Sequence, residues 1–224
     1  MTAKPATPIP QPRGSHAERS AQMRQRLVDA AIACLSRLGY AATTTQVVME
    51  EAGVSRGAML HHFPTKVDLI IAVAEAAALH QNRSVRRRLG QIPAGLDRYM
   101  ALTRATWEAI CQPPALALLE IMLASRSDPA LGERFPQIAQ QLEADQREGV
   151  WALAKELGIG DRAAVESMVR LHVAAMRGLL IEMTFSGDRH TAEVDITLLE
   201  YHKRTLTGAL LTGSSIRADA DQPK

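Results

Sequence analysis

The chain has 224 residues, 46% apolar and 22% charged, a balance that belongs to a folded protein with a core and excludes wholesale disorder. The net charge of +2 hides an asymmetry: up to residue 90, twelve Lys and Arg stand against six Asp and Glu, and beyond it fourteen stand against eighteen. A basic front portion suits a polyanion and the acidic remainder must sit away from it; chance variation of surface charge is the plain alternative.

Glu75 and Glu120 interrupt the apolar stretches, so no run approaches the roughly 18 residues of a membrane span, and no membrane partner is expected. Cys34 and Cys111 lie far apart in no metal-ligand or CxxC spacing. They read as core thiols of a reduced, cytoplasmic protein, with no metal and no cofactor.

Residues 1–17 carry Pro5, Pro8, Pro10 and Pro12 without an apolar core region, and read as a disordered arm rather than a signal peptide. Its basic residues Lys4 and Arg13, with Arg19, could reach a minor groove; a solvated tail is the simpler reading. Met23, Leu27, Ala30, Ala31, Cys34, Leu35 and Leu38 then form the stripe of a first helix that Gly39 stops. The threonine run at 43–45 is expected to cap a short second helix, with Gln46 completing a capping box with Thr43, and Gly53 to end it. Ser55 caps a third short helix that Pro64 closes. Thr65 and Asp68 open a long fourth helix ending near Arg86, Arg87, Arg88 and Gly90, where the arginines complement the helix dipole.

Five more helices are expected at about residues 96–111, 115–127, 130–157, 162–185 and 191–211, with Pro136 kinking or splitting the third of them. Strand signals are nearly absent, so the fold class is all-α with about nine helices. The organisation expected is an arm (1–17), a unit of three helices (18–64), a larger helical domain (65–212) joined to it by the helix at 65–89, and a flexible tail (213–224).

The stretch from Gln46 to His62 meets the requirements of a helix-turn-helix: two short helices, a glycine at the turn and apolar positions on both sides. Val48, Met49, Ala52, Val54 and Met59 would face inward, leaving Arg56, Gly57, Leu60 and His61 outward for a major groove. Arg56 can donate two parallel hydrogen bonds to a guanine edge, while Gly57 and Ala58 permit close approach.

Gly39-Tyr40, the three threonines at 43–45, Ala52-Gly53-Val54-Ser55-Arg56-Gly57, His61-His62-Phe63 and Lys66 with Leu69 together resemble the N-terminal signature of the tetracycline-repressor (TetR) family over about residues 23–71. The resemblance implies a three-helix head, a bridging fourth helix, a variable helical ligand domain, and a homodimeric regulator released from operator DNA by a small-molecule effector. Carried over position by position, it places Thr45, Gln46, His62 and Lys66 near phosphates and Arg56, Gly57, Ala58 and His61 near base edges. Leu60 departs from it, standing where the family usually has a tyrosine that touches phosphate; Met49 departs by being large.

In the larger part, Met100, Arg104, Trp107, Cys111, Met122, Arg126, His172 and Met176 are candidates for an effector cavity, with core packing as the alternative. Leu171, Ala174, Gly178, Leu198, Leu199, Leu206 and Leu210 are candidates for the dimer face, which the resemblance assigns to the last two helices. No HExxH, GxSxG or Gly-rich phosphate loop supports a helical cytosolic enzyme, so no catalytic residue is named. An architectural DNA-binding protein that responds to no effector, and an activator instead of a repressor, are compatible with the same residues.

Overall fold

Three hydroxyl caps set the front of the molecule: Thr44, Ser55 and Thr65 each accept a hydrogen bond from the third backbone N–H of the helix they begin. The computed structural model describes residues 15–213, which form nine helices and no strand. In order these are α1 (His16–Ala42), α2 (Thr45–Ala52), α3 (Arg56–His62), α4 (Lys66–Leu89), α5 (Leu96–Ile110), α6 (Pro113–Ala124), α7 (Pro129–Glu156), α8 (Arg162–Ser186) and α9 (Arg189–Leu211). The all-α class is as expected.

Four details differ from what the sequence predicts. α1 starts at His16, inside the segment expected to be arm, because Ser15 and Glu18 form a reciprocal capping box. The rest of that arm (1–14), including Lys4 and Arg13, and residues 214–224 of the tail lie outside the described residues, while Arg19 sits on α1. Thr44, not Thr43, caps α2; Thr43 is buried and donates to the Gly39 carbonyl, and Gln46 pairs with Glu50 instead of closing a capping box. Gly39 (φ 75°) kinks the chain rather than ending it, one helical turn continuing to Ala42. Pro136 lies within a continuous α7 and does not split it.

Three apolar cores hold the helices. The first joins Leu27, Val28, Cys34 and Leu35 of α1, Val48, Met59 and the Leu69–Ala77 stretch of α4 to Leu118 and Ile121 of α6 and Leu131, Phe135 and Leu142 of α7. The head is therefore welded to α6 and α7, not hung from a linker; each fully buried leucine or isoleucine contributes roughly 1.5–3 kcal/mol. The second core gathers Leu89, Tyr99, Leu102, Val165 and Val169 from α4, α5 and α8, and the third gathers Trp107, Leu119, Met176, Leu180 and Ile196 from α5, α6, α8 and α9.

Candidate nucleic-acid interface and effector cavity

The turn between α2 and α3 depends on Gly53, whose left-handed backbone (φ 60°, ψ 46°) redirects the chain after little more than two helical turns. Arg26 of α1 reaches back to the Gly53 carbonyl at 3.5 Å, and Arg37 of α1 pairs with Glu51 of α2 at 2.7 Å. Met59 turns fully inward, and Phe63 packs beneath Arg24 with the guanidinium 5.1 Å from the ring centre. What remains outward on α3 is Arg56, Gly57, Leu60 and His61, with Ala58 and His62 half-buried. The face expected for base edges is thus brought together on one short helix.

The residues expected near phosphate are less uniform. Thr45 is half-buried and Gln46 exposed at the start of α2, His62 stands at the end of α3, and His61 and His62 meet edge to face at 5.1 Å. Lys66 has another partner in the free protein: its Nζ donates to the Tyr40 carbonyl at 3.2 Å and lies 4.0 Å above the Tyr40 ring. Burial lowers its pKa, the nearby Asp128 pulling the other way. In this conformation Lys66 is a strut between α4 and the α1 kink, because the carbonyl exposed by that kink is its nearest acceptor.

Tyr40 is a hub that the sequence pattern does not reveal. Its N–H donates to Glu120 of α6 at 3.0 Å and its hydroxyl to Asp128, the cap of α7, at 2.6 Å. Burial, then the Asp128 bond, raises the phenol above its usual range, so it stays a donor; the Tyr40 hydroxyl is the largest influence holding Asp128 low. Asp68 of α4 adds a 2.8 Å ion pair to Arg134 of α7. The only sequence signal is Tyr40 beside a conformationally special glycine.

Behind the head, α4, α5, α7 and α8 line a half-open cavity of about 350 Å³. Its walls are apolar (Val85, Leu89, Leu102, Val150, Leu153, Val169, Val173), and Gln81, Asn82, Arg86, Arg98 and Asp145 supply polar groups. A narrower lobe of about 40 Å³ is lined by Thr103, His172, Met176 and Lys203. Of the residues expected to line a cavity, His172 and Met176 therefore do so, and Met122 borders a separate gap of about 40 Å³ between α4, α6 and α7.

The others are placed differently. Arg104 is committed to Glu193 and Glu200 of α9, and the Trp107 indole N–H donates to Glu193 at 3.0 Å, so both fasten α5 to α9. Met100 packs on the second core, Cys111 on the third, where burial pushes its thiol up to about 11, and Arg126 is exposed past the end of α6. The apolar wall residues and Lys203 were missed because their helical spacing is that of ordinary core positions.

On the far side, Leu171, Ala174 and Gly178 of α8 are exposed and continue into Ile181 and Phe185, the last 86% exposed. Leu198 of α9 is exposed beside Val194 and Tyr201. Of the other dimer candidates, Leu210 is buried in the second core, which removes it from a surface, while Leu206 and Leu199 are half-buried against the second and third cores. Among the described residues no cluster of His, Cys, Asp or Glu could hold a metal ion, and no helix is long and apolar enough to cross a membrane.

Residues 27–73 match the model of the tetR family of bacterial regulatory proteins. The chain is 27% identical to the HTH-type transcriptional regulator CymR of Pseudomonas putida, over 81% of this chain and 89% of CymR. It is 25% identical to the HTH-type transcriptional repressor AcnR of Corynebacterium diphtheriae, over 81% of this chain and 92% of AcnR. Among solved structures, Salmonella enterica GusR superposes with a TM-score of 0.58 at 25% identity, covering 84% of this chain and 95% of that one.

Proposed function

We propose that this chain is a transcriptional regulator of the tetR family, a cytoplasmic repressor that binds a palindromic operator as a homodimer and leaves it when a small molecule fills the α4–α5–α7–α8 cavity. The observation that carries this reading is the outward row Arg56, Gly57, Leu60 and His61 on a helix locked from behind by Met59 and from below by the Gly53 turn. Residues 18–64 form the DNA-binding unit and 65–212 the effector and dimerisation domain. Arg56 reads a guanine, Gly57 and Ala58 allow close approach, and His61 reaches a neighbouring edge. Thr45, Gln46 and His62 meet phosphates; Lys66 does so only by leaving Tyr40.

One recognition helix reads too few bases to be selective, so two copies are needed. The exposed residues Leu171, Ala174, Gly178, Ile181 and Phe185 follow a three-four spacing along α8, and Val194, Leu198 and Tyr201 continue that pattern on α9. Such a seam suits left-handed packing against the same pair of helices from a partner, forming a four-helix bundle.

Effector release follows from α4. Its 24 residues span about 36 Å, with Lys66 and Asp68 at the head and Gln81, Asn82, Val85, Arg86 and Leu89 along the cavity. A ligand that prefers the state with mis-spaced heads shifts the population by its differential affinity alone.

Selection of bound duplexes from a random pool tests the reading: a two-fold symmetric site is expected. Arg56→Ala then weakens binding at one base position of each half-site by about 1–3 kcal/mol, whereas Gln46→Ala weakens every sequence alike. Equal losses at all positions for both variants, or no preferred duplex, reject it.

A further inference from the structure

Lys203 of α9 is 2% exposed, yet among the described residues no carboxylate lies within ion-pair distance of it. Its ammonium donates to the Tyr99 carbonyl and rests 4.1 Å over the Tyr99 ring. One of three donors is spent. The nearest acid, Glu200, is already bound to Arg104 at 2.9 Å. Close by, the buried Tyr99 hydroxyl faces the Thr207 hydroxyl, which itself donates to the Lys203 carbonyl at 2.7 Å, so neither offers Lys203 a negative charge.

A buried cation without its anion is a costly arrangement, and a methionine would fill the same volume without that cost. The surroundings indicate where an anion belongs. Lys203 lines the narrow lobe with Thr103 and His172, and at about 40 Å³ that lobe has room for about two or three waters or one small polar group. Leu102, Thr106, Val150, Val169 and Val173 line both this lobe and the larger cavity, so a polar pocket and an apolar one adjoin across a shared wall.

We infer that this cavity takes an apolar carboxylate, an acyl or aryl acid whose head enters the narrow lobe to pair with Lys203 while its hydrocarbon body lies among Leu102, Val150, Val169 and Val173. That this acid is also the effector rests on the function proposed above. Burial brings the Lys203 ammonium down to about 7 against the pull of Glu200. It brings His172, 3.3 Å from His202, down to about 4, with His202 and Lys203 adding repulsion. A carboxylate relieves both, since an adjacent negative charge restores the charged form of each.

The test uses the full-length protein and a panel of octanoate, decanoate, hydrocinnamate and naphthoate, each paired with its primary amide, followed by thermal shift and calorimetric titration. At least one acid is expected to bind, with its amide at least about tenfold weaker. Lys203→Met should melt no lower than the parent protein and lose the preference for acid over amide; Leu102→Trp, which fills the shared wall, should lose binding altogether with Lys203 intact. No binding by any acid, amides equal to acids, or an unchanged preference in Lys203→Met overturns the inference. Operator binding read by fluorescence anisotropy separates the two proposals: acids that bind through Lys203 without loosening the operator uphold the carboxylate site and reject effector release. Absence of any operator preference rejects the regulatory reading and leaves the thermal and calorimetric result standing.

Discussion

Tyr40→Phe removes one oxygen and keeps the ring that packs on the first core and under Lys66. The lost bond is a 2.6 Å donation to a carboxylate, a class worth about 1.5–3 kcal/mol net. Both partners are only half-buried, so solvent discounts it to about 1–2 kcal/mol. For a chain of this size that is a fall of roughly 2–8 °C in melting temperature.

Asp128 keeps its capping bonds from Ala130 and Leu131 at 3.1 and 3.3 Å, so α7 itself does not unravel. Asp128→Asn preserves a good cap and weakens only the charge, which makes a double-mutant cycle interpretable; about 1 kcal/mol of coupling is expected by urea denaturation. Asp128 has its folded pKa depressed, so its stabilisation is present above the unfolded carboxylate range and lost as pH falls through the folded value. Tyr40→Phe should therefore flatten the acid limb of the stability profile. Because the bond joins the head to α7, the variant should also reduce the ratio of operator affinities measured without and with effector. Unchanged stability together with coupling under about 0.3 kcal/mol would refute the claim that Tyr40 carries the contact.

Leu198→Glu places a charge on the exposed α9 seam without touching a core, so sedimentation should show a shift from dimer to monomer with helicity retained; an unaltered dimer would move the interface elsewhere. For Lys203 the depressed folded pKa means the penalty is complete below about 7 and vanishes as pH rises through 10.5. The parent protein should gain up to about 1.4 kcal/mol per pH unit from this group in that window, and Lys203→Met should not. Parallel denaturation profiles across that range would show an ordinary solvated lysine. Gly53→Ala forces an L side chain into the left-handed region and presses its Cβ to 3.0 Å from the end of Arg26, which can swing aside. A loss of about 1–2 kcal/mol with weakened operator binding is expected, and Gly53→Asn should recover part of it.

The helices, most of their caps and the helix-turn-helix could be read from the chain because they depend on neighbours three or four residues apart. Thr65 with Asp68, Ser55 before α3 and the Gly53 turn are local devices, and local chemistry is written in local spacing. Even there, the choice between Thr43 and Thr44 depends on a kink that helical periodicity does not show, the non-helical Gly39 whose carbonyl takes the buried Thr43 hydroxyl. The cavity, the Tyr40 bridge and the lone lysine were settled only by tertiary structure. Tyr40 meets Asp128 across 88 residues and Lys203 meets Tyr99 across 104. No periodicity encodes such pairings: Leu102, Leu198 and Leu210 occupy equivalent apolar helix positions, yet one lines a cavity, one faces solvent and one fills a core. A leucine pattern specifies that a face is apolar; packing decides what covers it.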